Sequence, residues 1–192
     1  MERDAGRRET FWRARGGLAA VEFALVLPIA VAMLFGEFVL GEALSINRKV
    51  SIASRAIGDL VARNSLVART TAIANQYTPA IADLSAIMNA STQIAAPYAT
   101  SSMGVVVAEL TTDGSGITTI TWSAAQNATA LTVGNAFSPP AGIAQANSSL
   151  IYTKVTYSYT PPVGQNIFGT IPISNTFYMP PRTSAAVSCV GC

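Results

Sequence analysis

The sequence predicts an α+β protein in which a long N-terminal transmembrane helix continues into a helical stem and is followed by a small antiparallel β-sheet domain. Three observations predict it. Residues 18–36 are apolar almost without interruption, residues 46–60 place apolar side chains at helical spacing, and from about residue 103 β-branched runs alternate with turn residues. Helices first and strands after is the order of an α+β arrangement. The expected divisions are a basic leader (1–17), a membrane helix (18–44), a helical stem (45–91) and a β-rich domain (92–192).

Charge is graded along the same path. Of 192 residues only 11% are charged, against roughly 25% in an ordinary soluble domain. Eight of these charges fall in residues 1–17, and only four (Glu109, Asp113, Lys154, Arg182) lie beyond residue 83. Half of the residues are apolar and the mean hydropathy is +0.38, which excludes charge-driven disorder.

The leader carries Arg3, Arg7, Arg8, Arg13 and Arg15 and has no apolar periodicity that would join it to a core. Leu18 to Gly36 then supplies 19 residues with Glu22 as the sole charge. As a helix this run spans about 28 Å, enough to cross a bilayer. Three readings compete for it. A cleaved secretory signal fits the basic start, but its Ala30-Val31-Ala32 site lies in mid-run. A plain anchor leaves Glu22 unexplained, since a carboxylate within a span costs about 2.5–3.5 kcal/mol on insertion scales. The third reading gives Glu22 a partner. Cutting after Gly17 frees an amine at Leu18 and puts Glu22 at the fifth position of the product, which resembles a type IV prepilin site. The five arginines ahead of the span favour a cytoplasmic N-terminus, though Arg48, Lys49, Arg55 and Arg63 follow it.

Pro28 interrupts one helical hydrogen bond within the run, so a kink is expected there. Beyond it Ile46, Val50, Ala53, Ile57 and Leu60 form a narrow apolar stripe. Such a stripe covers either the domain's own core or neighbouring helices of an assembly. Residues 66–77 and 80–91 read as further helical pieces, with Thr78 as cap and Pro79 at the first helical position. Met103–Thr111 and Ile117–Ser123 read as strands, and Asp113-Gly114-Ser115-Gly116 between them is hairpin-turn chemistry. Leu150–Tyr159 places Ile151, Thr153, Val155, Tyr157 and Tyr159 on one face. A fourth strand follows near Ile171–Tyr178, confined to an edge by Pro172. Ala124–Ser149 is a long excursion with room for one short helix.

Several function classes are excluded or weakened. The chain has no histidine, which removes the usual general base, the Ser-His and Cys-His nucleophile pairs and the commonest zinc ligand. We expect no enzyme, no catalytic residue, no cofactor and no metal. A net charge of +2, with the arginines not interleaved with aromatics, gives nucleic-acid binding little support. Cys189 and Cys192 are the two cysteines of the chain, and in an oxidising compartment they most simply form one small-loop disulfide that pins the tail.

The string Gly17-Leu18-Ala19-Ala20-Val21-Glu22-Phe23-Ala24-Leu25-Val26-Leu27-Pro28 resembles the start of TadE/TadG-like proteins of tight-adherence (Flp) pilus systems. Ile57-Gly58-Asp59-Leu60-Val61, Trp122, Val155-Thr156-Tyr157-Ser158-Tyr159-Thr160-Pro161 and Pro181-Arg182 also look like that family, in order along the chain. The resemblance implies a minor pilin or pseudopilin cut between Gly17 and Leu18 by prepilin peptidase. Glu22 would then meet the N-terminal amine of a neighbouring subunit, with Phe23 and Pro28 shaping the helix that packs in assembly. It further implies a single pass through a Gram-negative inner membrane with the C-terminal domain periplasmic, incorporation into a surface pilus, and a role in adherence and biofilm formation. The implied partners are prepilin peptidase, other pilus subunits and pseudopilins (a TadE/TadF-like pair among them), the inner-membrane assembly platform and the lipid bilayer. Two rival readings remain: an unprocessed, membrane-anchored periplasmic scaffold or binding protein, and a secreted enzyme for which no catalytic constellation exists. Removal of residues 1–17 leaves seven basic and seven acidic side chains, a mature chain without net side-chain charge.

Overall fold

A computed structural model describes residues 16–69 and 82–192. The chain divides into two compact units after Glu42. The first consists, in its described part, of the opening turns of helix α1, which runs as one α-helix from Gly16 to Ala62 and stays helical through Pro28. Every side chain from Ala19 to Phe35 is exposed.

The second unit begins at Ala43 and holds the rest of α1 and the sheets. Ile46, Val50, Ala53 and Ile57 are buried, as the stripe predicts, but Leu60 is 40% exposed and Val61 takes its place. After Ile57 the face that meets the core is continued one full turn on, at i+4, and Leu60 falls to its side. Helical pieces were expected from residue 66. The described part of that stretch is instead strand β1 (Leu66–Ala68), and β2 (Ala82–Asp83) follows it in the described chain. The Thr78 cap and Pro79 lie outside the described residues. Helix α2 (Leu84–Ala95) is capped by Asp83, whose carboxylate accepts from the backbone N–H groups of Ser85 (2.8 Å) and Ala86 (3.2 Å). At its far end Lys49 Nζ donates to the carbonyls of Ile94 and Ala96 and lies 5.6 Å from the ring centroid of Tyr98. A cation at a helix C-terminus complements the free carbonyls there.

The main sheet is antiparallel. It contains β3 (Met103–Thr112), β4 (Thr118–Gln126), β5 (Ser148–Tyr159) and β6 (Ile171–Met179), in the spatial order β4-β3-β5-β6. A short helix, α3 (Gln165–Phe168), precedes β6. Between β3 and β4, Asp113 Oδ1 accepts from the Ser115 hydroxyl (2.8 Å) and from the N–H groups of Ser115 and Ile117 (2.9 Å each), while Gly116 takes φ +85°. The last strand, β7 (Ser188–Val190), pairs in parallel with β1, which pairs in parallel with β2.

Both faces of the main sheet are covered. On one, Ile151, Thr153, Val155, Tyr157 and Tyr159 are buried together with the α1 stripe. The helix approaches closely at Gly58, where an added Cβ would stand 3.2 Å from Thr153 Oγ1 and 3.3 Å from Phe177 Cδ1. On the other face Val106, Ala108, Leu110, Ile120, Leu150 and Tyr152 form a cluster, over which Leu131, Phe137 and Ala144 fold from the excursion between β4 and β5. The excursion had room for one short helix but holds none. Its described residues form turns and a single bridge, Thr119 to Ala136. This explains why β3 is buried at nearly every position instead of alternating: a strand covered on two faces has no solvent side.

Candidate functional site

The residues singled out for processing and assembly lie in the first four turns of α1. Gly17 and Leu18 are in its first turn, Glu22 follows Leu18 by four residues, and Phe23 and Pro28 complete the set. A helical spacing of four sets positions 18 and 22 about one turn apart, roughly 6 Å along the axis. Glu22 is exposed, as is Phe23 at 65%, and Glu22 has no ion pair or hydrogen bond among the described residues. The helix from Ala19 contains a stretch apolar and long enough to cross a membrane, and only 6% of its most apolar window is buried within the protein. The surface has the chemistry of a lipid-facing or subunit-facing helix. A core helix would be buried.

Cys189 and Cys192 belong to the second unit and are disulfide-bonded, with Cα atoms 5.8 Å apart. Cys189 lies in β7 opposite Val67 of β1. The bond thus closes a loop at the end of a strand that is itself paired. Among the described residues no group of three or more histidine, cysteine, aspartate or glutamate side chains is arranged to hold a metal ion.

Two arrangements were not anticipated. Asp59, at the end of α1, lies 2.5 Å from Arg63 Nη2 and 2.8 Å from Arg182 Nη2. The Arg182 N–H donates to the carbonyl of Ala62 (2.8 Å), and the Thr183 hydroxyl donates to that of Arg63 (3.2 Å). These contacts tie the chain after β6 to the C-terminal end of α1. The second arrangement is a clasp on one peptide unit on either side of Val187. The Val187 N–H donates to Glu109 Oε1 (2.8 Å), and its carbonyl accepts from Trp122 Nε1 (2.6 Å). Glu109 is 2% exposed. Burial pushes its carboxyl above the ordinary carboxylate range, against the hydrogen bonds from Val187, Trp122 and Ser149 that favour the charged form. One sequence signal was available for this clasp. Glu109 is the single charge within the otherwise apolar run from Met103 to Leu110, and a carboxylate there needs a buried donor.

Comparison with known proteins supports the reading of the helix. Residues 17–58 match the family model described as TadE-like protein. The matched segment begins at Gly17 and ends one residue before Asp59, so the likeness is carried by α1, and the sheets lie outside it. No curated protein matches significantly, and no solved structure does. TadE-like proteins are associated with Tad pilus systems, and the apolar helix is compatible with single-pass membrane anchoring.

Proposed function

We propose that this chain is a TadE-like pseudopilin or minor pilin, a non-enzymatic subunit that is cut after Gly17 by prepilin peptidase and acts in assembly of a tight-adherence pilus. The observation that carries the reading is the register of Gly17, Leu18 and Glu22 at the head of an exposed apolar helix, in the segment that matches the TadE-like family. After cleavage the new amine of Leu18 and the Glu22 carboxylate lie on one face, so either the same chain or a neighbour in the bilayer can supply the countercharge. In a low-dielectric surrounding, an unpaired carboxylate strongly favours such pairing, and removal of one partner strands the other. Phe23 and Pro28 then belong to the packing surface of the helix. The N-terminus is cytoplasmic, the span lies in the bacterial inner membrane, and the domain from Ala43 onward is periplasmic, where the Cys189–Cys192 disulfide is chemically at home. The partners are other pilus subunits, the assembly platform and the bilayer, and the outcome is surface adherence and biofilm formation.

Intact-mass measurement of the membrane-extracted chain tests the reading. Expressed with an active prepilin peptidase the protein should lose residues 1–17, and expressed without it the leader should remain. An intact leader in the presence of the peptidase sinks the processing claim. A processed Glu22→Ala chain that still supports normal pilus output sinks the assembly role.

A further inference from the structure

The two edges of the main sheet are treated differently. Along β4 the chain covers its own edge: the Ile120 carbonyl accepts from the Gly134 N–H (2.8 Å), the Ile120 N–H donates to the Asn135 carbonyl (3.1 Å), and the Thr118 carbonyl accepts from the Phe137 N–H (2.8 Å). Along β6 no such cover exists among the described residues. Nine residues pair with β5 on one side, and among the described residues Ile171–Met179 makes no other backbone hydrogen bond. Pro172, near the start, blocks one donor, but from Ile173 to Met179 there is no proline, no charge and no bulge, so the usual protections of an edge are missing.

Charge beside this edge selects an occupant. Arg55 of α1 stands over the Phe177 ring, 5.8 Å from its centroid, on the helix-covered face. Lys154 of β5 is the register partner of Thr176 and lies on the opposite face. Neither cation is in an ion pair among the described residues, whereas Asp59 is already engaged by Arg63 and Arg182. Neither cation is on β6 itself, so in a pairing of two β6 strands the two β5 strands that carry Lys154 would stand three strand spacings, about 14 Å, apart, and charge contributes nothing to a second copy. An acidic strand would instead be attracted. Consecutive residues of a strand project to opposite faces, so of two adjacent acidic residues one lies on the face of Arg55 and the other on the face of Lys154, reaching it across Thr176.

We propose that the outer edge of β6 is a strand-addition site that accepts an extended, otherwise uncharged segment of another polypeptide carrying adjacent acidic residues opposite Asn175–Phe177. Main-chain hydrogen bonds supply the attachment, and Arg55 and Lys154 set the register. The inference does not depend on where the leader is cut.

Hydrogen exchange on the full chain in detergent micelles tests it, with three nine-residue peptides of alternating threonine and valine as probes. One carries Asp-Glu at its centre, one Asn-Gln and one Lys-Lys. The Asp-Glu peptide is expected to slow exchange across Ile171–Met179, to leave β4 unaffected, and to bind about tenfold more tightly than the Asn-Gln peptide, with Lys-Lys weakest. The double variant Arg55→Gln/Lys154→Gln should bring the three together while edge protection persists. Thr176→Pro should remove protection altogether; where that chain fails to fold, the double variant alone decides. Equal binding of all three peptides to the unaltered chain, absence of β6 protection at millimolar peptide, or protection that grows with protein concentration in the absence of peptide each overturns the proposal.

Discussion

Helix α1 holds two apolar stretches that differ in what covers them. From Ala19 to Phe35 all side chains are exposed, whereas from Ile46 to Val61 one stripe is buried against the sheet and the remaining faces carry Arg48, Arg55 and other polar groups. The sequence already separates them by period: the first is apolar all round, the second apolar only at spacings of three and four. An apolar stripe is matched to a core inside the chain. A helix apolar on every side has its partner outside the chain, in lipid or in other subunits.

Truncation separates the two most sharply. Ile57→Ala removes a fully buried side chain and should lower the unfolding free energy of the folded domain by about 2–5 kcal/mol. Leu25→Ala, 69% exposed, should leave it unchanged. Thermal unfolding of both variants in the same detergent is the measurement, and equal losses would erase the distinction. A charge in the first stretch reports on the other environment. Val26→Arg should oppose membrane integration by about 2.5–3.5 kcal/mol, read as a smaller fraction resisting alkaline extraction, with no shift in the unfolding midpoint of the domain.

Legibility followed the same divide. The apolar run, the hairpin with its Asp113 turn, the β5 face and the edge position of β6 were all written in local patterns of two or three and a half residues. Residues 66–68 were misread because a run of leucine, valine and alanine suits a helix and a buried strand equally; what decides is pairing with Ser188–Val190, some 120 residues away. Leu60 and Val61 exchanged roles because adjacent apolar residues give the period two choices. Glu109 stands out as the one charge in its run, but its partners Val187 and Trp122, like the Asp59–Arg182 pair, are hidden for a related reason. Each contact joins positions remote in sequence, and only the folded chain states that they meet. Of the N-terminal motif, the register of Gly17 and Glu22 needed no fold at all.

Carboxylates extend the comparison. Glu22 sits in the exposed stretch without a partner among the described residues, and Glu109 sits in the domain with the Val187 N–H and the Trp122 and Ser149 side chains as donors. Because the folded-state pKa of Glu109 is raised, its contribution to stability is full below the unfolded value of about 4.5 and is lost as pH rises through the folded value. Asp113 acts in the opposite sense. The Ser115 hydroxyl, followed by the Ile117 N–H, holds its carboxyl below the ordinary range, so its contribution is present above the unfolded value and is lost on acidification through the folded one. Glu109→Gln keeps an acceptor for the Val187 N–H and removes the titration. Denaturant midpoints taken from pH 4 to pH 8 should show the unaltered chain losing ground to the variant as pH rises. A difference that does not vary with pH would mean that the buried carboxyl does not titrate in this window.

The smallest effect concerns the contact surface itself. Thr153 is fully buried beneath Gly58, and its hydroxyl has no hydrogen-bond partner among the described residues. A buried hydroxyl without a partner costs about 1–3 kcal/mol by mutational measures. Thr153→Val keeps the branched shape that fits under Gly58 and removes that cost, so the domain should gain about 1 kcal/mol, seen as a midpoint a few degrees higher. A lower midpoint would mean that the hydroxyl is satisfied in solution, and that the helix and the sheet meet across a less apolar surface than the buried stripe implies. The corresponding exchange in the exposed stretch, Val21→Thr, should leave the domain midpoint where it is, because Val21 is exposed.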